Sequence, residues 1–520
     1  MEKLTGTPKT TSNAAVDQRV VRLWGRTALD VTLLVALVGF TSWLGYIGFI
    51  ASDDWSYSEA AIGWLEHFPY VGTNHWGLRH AVVLPVALSF LVSGINEVSM
   101  ILPTRVYLVL LVLLTYGCLT RSLERKTALL ASALVALTPI LALSGGSDDL
   151  AECVFVAASF WAFYFGSETR PKPTLLLLSG ICAGLAFVTR ETSAIIVLFY
   201  GVLFLLGRRA PRSYFFLITG GFLLLLAIDT VYLGSMTGDP YYRLHISMRG
   251  VSGDNPLQSE FPVRYGLDPI GLIAAPRAIQ PVLMLFTAHE LFPLFYFVVP
   301  AGLWLWKNRG KREPQFAIAR LSGLLSLTWF LTLSYLLIML WLEPRYFTVV
   351  VYSSVLVVSL WLQTPSLRRI SFGLIALLSA GDLLMIYLDN KNLMFGEKTL
   401  VALARSSDEP IFTDPATFGG ASFLLKYTAP EHNVIAGFAP AGGLFFYNPL
   451  PARLELNRGT VGRFEPRSTW TLLRSITEEP KLSARILRAS GLEAVLPAGV
   501  AQKLDPPLHR CSLYRLPTRE

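Results

Sequence analysis

Eleven apolar runs, each close to the length that crosses a bilayer, leave this chain few folds to choose from. They fall at residues 28–50, 101–119, 127–143, 149–166, 174–189, 192–207, 214–233, 282–304, 318–341, 345–363 and 368–387. In lipid, a run of this kind satisfies its backbone only as a helix. The charges between the runs set the orientation. Arg121/Arg125/Lys126, Arg170/Lys172, Arg208/Arg209/Arg212, Lys307/Arg309/Lys311/Arg312 and Arg368/Arg369 all fall on the side of the N-terminus, which is itself flanked by Arg19, Arg22 and Arg26. Basic residues mark the cytoplasmic side. The pattern therefore places residues 1–27 in the cytoplasm as a polar tail. The outer face receives the 52–98 loop, Ser144–Asp149, Arg190–Glu191, the 234–280 loop, Glu343–Arg345 and the C-terminal region. One span more or fewer between 80 and 100 would invert everything after it and break this pattern.

Composition agrees. Of 520 residues, 53% are hydrophobic and 15% charged, against roughly 25% charged in soluble proteins. The net charge of +8 lies in short clusters between apolar runs and not on one basic face, which reads as topology and argues against nucleic-acid binding. Cys118, Cys153, Cys182 and Cys511 show neither metal-ligand spacing nor a disulfide framework. No Ala-x-Ala site follows the first run, so a cleaved signal is not expected. The expected setting is a cell inner or plasma membrane, crossed many times.

Within the first outer loop, Asp54–His67 has Trp55, Ala61, Ile62 and Leu65 at helical spacing, and Ala81–Val92 is apolar but short for a span. Both are expected as interfacial helices. Residues 28–388 form the membrane domain. Residues 389–520 are richer in Pro, Gly and charge, and are expected as an extracytoplasmic α/β domain. Its strands are expected at Pro410–Asp414, Asn433–Ala436, Leu444–Tyr447 and Ala494–Leu496, and its helices at Phe418–Tyr427 and Lys481–Ser490. It carries no catalytic motif.

The orientation gathers polar residues on one side. Asp53, Asp54, Asp148, Asp149, Arg190, Glu191, His289, Glu290, Glu343, Arg345 and Tyr346 all lie at or near outer ends of runs. Any one of them alone reads as a solvated cap or a structural ion pair. Ionisable groups in or beside spans are costly, and so many together point to a site. The chemistry that fits is glycosyl transfer from a polyprenyl-phosphate sugar. The lipid tail needs a bilayer, the phosphate needs guanidinium groups at headgroup level, and the acceptor hydroxyl needs a base. Asp53 or Asp54 would serve as that base, each raising the other's pKa. Direct attack by the acceptor would invert the anomeric centre.

The same residues resemble the GT-C superfamily of membrane glycosyltransferases, in the protein O-mannosyltransferase-like branch that includes the lipid A aminoarabinose transferases. Asp53-Asp54-Trp55-Ser56-Tyr57 is similar to the Asp-Glu-x-x-Tyr motif of that family's first outer loop, and Ser147-Asp148-Asp149-Leu150 to its second acidic motif. Gly184-Leu185-Ala186-Phe187-Val188-Thr189-Arg190 resembles its Gly-Leu-Ala-x-x-Thr-Lys/Arg segment. Arg345-Tyr346 resembles its Arg-Tyr, and Thr237-Gly238-Asp239-Pro240-Tyr241-Tyr242 a stretch of its later outer loop. The resemblance implies Asp53 as catalytic base, with Asp54 beside it, and Arg190 and Arg345 on the lipid phosphate. Asp148, Asp149, Glu191, Tyr346, Tyr57 and Arg79 join them as candidate substrate-binding residues. The family's Pro-Pro before the second interfacial helix is absent, and His75-Trp76-Gly77-Leu78-Arg79-His80 stands there instead. His75 and His80, five apart, do not share a helix face well enough for a zinc pair.

The partners expected are a polyprenyl-phosphate sugar and a lipid, glycan or protein acceptor. No cofactor is assigned. Paired carboxylates are also oxygen ligands for a divalent cation, although the branch resembled is not usually described as needing one. Two rival readings are a lipid or glycolipid transporter without covalent chemistry and a scaffold whose outer domain binds a partner. The first is opposed by charges that sit at span ends and not at the midplane, and by the lack of an inverted repeat.

Overall fold

A computed structural model describes residues 13–168, 170–207, 209–249, 276, 278–337, 343–390, 394–449, 464–496 and 498–518. Residues 1–12, most of 250–277 and the end of the 318–341 run lie outside them. The protein is a polytopic helical membrane protein with a small sheet near its C-terminus. Among the described residues, seven helices are long and apolar enough to cross a membrane: α1 (Asn13–Leu44), α4 (Glu97–Leu119), α7 (Asp149–Gly166), α10 (Arg212–Thr237), α14 (Pro314–Leu331), α15 (Thr348–Leu362, with the turn ahead of it) and α16 (Ser371–Asp389). α8 (Pro173–Thr189), α9 (Ile195–Leu206) and α13 (Leu294–Lys307) are apolar but shorter.

The remaining runs are shaped by local breaks. The 28–50 run is helical only to Leu44, and beyond it Gly48 takes a left-handed φ of 77°. The 127–143 run divides into α5 (Arg125–Leu137) and the single turn α6 (Pro139–Ala142). Thr138, ahead of Pro139, is extended, as a residue before proline prefers. The 282–304 run likewise breaks ahead of Pro293, into α12 (Gln280–Thr287) and α13. α14 runs into a π turn at Thr332–Leu336.

α15 is buried on nearly every face and packs on α5, α7, α13 and α14. Its Tyr352 hydroxyl accepts from Trp161 Nε1 at 2.9 Å. α8 packs closely along α10. A Cβ at Gly180 would collide with the Ile218 carbonyl, and one at Gly221 with the Leu177 carbonyl, so the helices meet backbone to backbone.

The two helices expected in the first outer loop are α2 (Asp53–Glu66) and α3 (His80–Ser93), packed on each other. α11 (Tyr242–Arg249) follows α10. Beyond α16 come α17 (Phe395–Ala404), β1 (Ile411–Thr413), α18 (Pro415–Thr428), β2 (Val434–Ala436), β3 (Leu444–Tyr447), β4 (Thr471–Thr477), α19 (Leu482–Ser490), α20 (Ala498–Leu504) and β5 (Arg510–Arg515). The sheet order is β2-β1-β3-β5-β4, with β1 parallel to β2 and β3 and the other pairs antiparallel. The strand expected at Ala494–Leu496 is absent. That stretch leaves α19 through Gly491, at φ 67°, into a single 3-10 turn at Leu492–Ala494. The sheet is completed instead by β4 and β5, which the sequence reading missed. One core cluster joins α2 and α3 to α17, α18 and the sheet, through Tyr57, Ala61, Val83, Leu400, Leu424 and Phe446.

Candidate active site

The adjacent aspartates of the first motif point in different directions. α2 begins at Asp53 with Ser52 as N-cap. Asp54 is buried, and its carboxylate accepts the backbone N–H of Ile50 at 2.7 Å, Ser52 at 2.7 Å and Trp55 at 3.0 Å. It closes the turn that starts the helix. Burial pushes its carboxyl up to about 6, against the pull of those three N–H donors. Asp53 faces the site. Arg345 Nη1 donates to its Oδ2 at 2.6 Å. The same guanidinium pairs through Nε with Glu343 at 2.5 Å, and its side chain is 34% exposed. Arg345 stands in a one-turn helix, Pro344–Phe347, directly ahead of α15.

The second motif meets the third. α7 starts at Asp149 and α8 ends at Thr189. Arg190, the C-cap of α8, donates through Nη1 to Asp149 and to Glu152 at 3.2 Å, and its Nε lies 3.6 Å from Asp148. Only 5% of its side chain is exposed. Ser147 donates to Asp149 at 2.7 Å and Ser193 to Glu152 at 2.6 Å. Tyr346 links the two groups. Its ring centroid lies 4.4 Å from the Arg190 guanidinium carbon and 5.8 Å from that of Arg345.

From Asp148 the network continues outward. Arg79 Nη1 lies 3.1 Å from Asp148 Oδ2 and donates to the Tyr57 hydroxyl at 2.5 Å, while its Nη2 lies 3.9 Å from Glu191. Arg243 bridges Glu191, at 3.2 Å, to Asp229, which it grips through Nε and Nη2 at 2.8 Å each. Burial works to raise the Asp148 carboxyl. The guanidinium groups of Arg79, Arg190 and Arg345 reverse that and hold it below the usual carboxylate range. His75 stacks on Trp76. Burial, then the Arg79 charge, lower its pKa to about 4, so it is neutral near pH 7.

The structure thus brings together Asp53, Tyr57, Arg79, Asp148, Asp149, Arg190, Glu191, Glu343, Arg345 and Tyr346. Asp54 is adjacent but turned into its own loop. His80 packs between Trp64 and Tyr232. His289 and Glu290 lie in a turn packed on α6 and α16. Sequence reasoning missed Glu152, Asp229 and Arg243. Glu152 is one turn beyond Asp149 on the same helix, and Asp229 is a lone acid in an apolar run. Both signals were legible. Arg243 directly follows the Thr237–Tyr242 stretch. Four arginines here face seven carboxylates, Asp53, Asp148, Asp149, Glu152, Glu191, Asp229 and Glu343. Among the described residues no group of three or more His, Cys, Asp or Glu side chains is arranged to hold a metal ion.

A family model described as dolichyl-phosphate-mannose-protein mannosyltransferase matches residues 81–232. No curated protein matches the chain in sequence. Among solved structures, ArnT from Cupriavidus metallidurans bound to undecaprenyl phosphate is similar with a TM-score of 0.56 at 11% identity, over 85% of this chain and 99% of that one. Its apo state gives 0.53 at 12% identity, over 87% and 96%. The Archaeoglobus fulgidus oligosaccharyltransferase in complex with zinc and sulfate gives 0.51 at 13% identity, over 76% of this chain and 61% of that one. The fold is that of the GT-C membrane glycosyltransferases. The family model matches the resemblance to the protein O-mannosyltransferase-like branch over residues 81–232.

Proposed function

We propose that this protein is a glycosyltransferase that moves a sugar from a polyprenyl-phosphate-linked donor to an acceptor hydroxyl at the outer face of the membrane, with inversion. The observation that carries the reading is the pairing of the Asp53 carboxylate with the partly exposed Arg345 guanidinium, 2.6 Å apart at the head of α2. A base and a phosphate-binding cation then stand side by side. The similarity in fold to ArnT, a protein solved with undecaprenyl phosphate bound, supports a polyprenyl phosphate as the lipid.

Asp53 accepts the proton of the acceptor hydroxyl as its oxygen bonds to the anomeric carbon. The bond from that carbon to the phosphate oxygen breaks on the opposite face, and its electron pair leaves with the lipid phosphate. Arg345 takes the phosphate charge directly, and Arg190 reinforces it from behind Tyr346. Arg79, Tyr57, Asp148, Asp149 and Glu191 shape the substrate side. Residues 28–388 would form the catalytic membrane domain. The N-terminus would be cytoplasmic and residues 389–520 would lie outside the cell membrane.

The test is purified protein in liposomes with polyprenyl-phosphate sugars and an envelope glycolipid or glycan fraction as acceptor. Release of polyprenyl phosphate coupled to a mass shift of the acceptor is expected. Transport of the donor with no covalent product would overturn the reading in favour of a flippase.

A further inference from the structure

The segment that delivers Asp53 is held from outside the membrane helices. Between α1 and α2 the chain runs through Gly48, Phe49 and Ile50. Glu97 Oε1, at the start of α4, accepts the Phe49 N–H at 2.9 Å. The same oxygen accepts from Lys398 Nζ at 2.6 Å. Lys398 belongs to α17, the first helix of the C-terminal region. Glu97 and Lys398 close so tightly over Gly48 that a Cβ there would strike the Glu97 carboxylate and lie 2.7 Å from Lys398 Nζ. Gly48 is also left-handed, so both its φ and its lack of a side chain are required.

The contact is wider than one ion pair. Phe49 is fully buried, with its ring 5.6 Å from Phe423 of α18. Asn390 donates to the Leu44 carbonyl at 2.7 Å, fixing the end of α1. The Ile50 N–H then passes directly to Asp54, which closes the turn from which Asp53 projects. From Leu44 to Asp54 the path is thus held by Asn390, α6 and α16 at its start, and by Glu97, α17, α18 and its own turn beyond that.

We infer that Lys398 is a positioning residue for Asp53: through Glu97 and the Phe49 N–H, the C-terminal region sets where the catalytic carboxylate stands. The inference rests on the proposed role of Asp53 as base. Its chemistry is mechanical. Lys398 touches no substrate, and it neutralises Glu97 so that one oxygen can hold both a backbone N–H and the α17 ammonium. Without it, the 48–50 segment loses its outer wall and Asp53 is free to drift relative to Arg345. Misplacement of about 1 Å costs a reacting group up to ~100-fold.

The experiment compares steady-state transfer by the full-length protein with Lys398→Met, Lys398→Arg, Asp53→Asn and the double variant Lys398→Met/Asp53→Asn. Lys398→Met is expected to lower kcat by about tenfold or more with the donor KM nearly unchanged. Lys398→Arg, which keeps the charge, is expected to recover most of it. The two losses are expected to be non-additive, since one residue acts through the other. A Lys398→Met protein that is correctly folded and has wild-type kcat would overturn the inference, as would losses that multiply in the double variant. A drop in folded yield with unchanged kcat per folded molecule would also overturn it, leaving Lys398 a structural residue only. Full activity of Asp53→Asn would instead bring down the proposed base, and is told apart by that variant alone.

Discussion

Arg190 and Arg345 flank one ring, that of Tyr346, yet their surroundings differ. Arg190 is buried and shared among Asp148, Asp149 and Glu152, with Nη1 donating to both Asp149 and Glu152. Arg345 is a third exposed and holds one carboxylate on each side, Asp53 and Glu343. A buried cation surrounded by acids sets geometry, because breaking such a cluster leaves uncompensated charge in low dielectric. An exposed cation with two partners can exchange one of them for a phosphate at small cost. The comparison separates a fixed half of the network, at the α7–α8 junction, from an exchangeable half at the α2–α15 junction.

The strongest way to break this contrast is at the carboxylate that Arg345 holds. Asp53→Asn should lower kcat by about 10²–10⁴-fold with no loss of folded protein, checked by transfer assays alongside size-exclusion profiles. Normal transfer in that variant would remove Asp53 from the chemistry. Next comes the fixed half. Arg190→Met leaves Asp149 and Glu152 without their cation, while Asp148 keeps Arg79, and should cost about 3–5 kcal/mol of stability, read as a large fall in thermal midpoint in detergent. A stable, fully folded Arg190→Met protein would show that the two halves are not distinct.

Arg345→Met should do the reverse. The thermal midpoint should fall less than for Arg190→Met, since the Arg345 side chain is a third exposed and only two carboxylates lose a partner. The donor kcat/KM should fall by about 10–100-fold, the equivalent of a charged hydrogen bond of ~1.5–3 kcal/mol. The last expectation concerns Asp54. Its folded pKa, about 6, is raised above the 3.8 of an ordinary aspartate, chiefly by burial. Its stabilising contribution is therefore fully present below pH 3.8 and is lost as pH rises through about 6. Stability of the native protein should decline across that window by at most ~1.4 kcal/mol per pH unit, and Asp54→Asn should flatten the decline. A slope unchanged by the substitution would assign the titration elsewhere.

Much of the architecture was legible because lipid permits so little. Span-length apolar runs and the acids and arginines at their ends led directly to the helices and to the charge cluster. Local backbone chemistry was harder to see. The runs at 127–143 and 282–304 break at Pro139 and Pro293, and the first run leaves its helix at Leu44, ahead of the left-handed Gly48. In the C-terminal sheet, β1 to β3 were readable as short apolar segments. β4 was not, because it is an edge strand with Leu472 and Leu473 exposed and Arg474 among them, so it shows no clean alternation. At the site, the motifs singled out the arginines and aspartates but not their division of labour. The residues alone left Asp53 and Asp54 interchangeable. The family resemblance favoured Asp53, and the three N–H groups converging on Asp54 turn that carboxylate into its own loop. Glu152 and Asp229 were visible as acids in apolar runs, but their partners come from helices distant in sequence.

The close packing of α8 on α10 reaches further than its own neighbourhood. Gly180 lies ten residues before Arg190 on one continuous helix, about 15 Å along its axis. Since the Ile218 carbonyl occupies the space where a side chain would begin, α8 cannot accept even a methyl group there without moving away from α10. Arg190 caps the far end of that lever. The register of the charge cluster is thus written in part by two hydrogens deep in the helix pair, and a single added carbon there would shift a cluster it never touches.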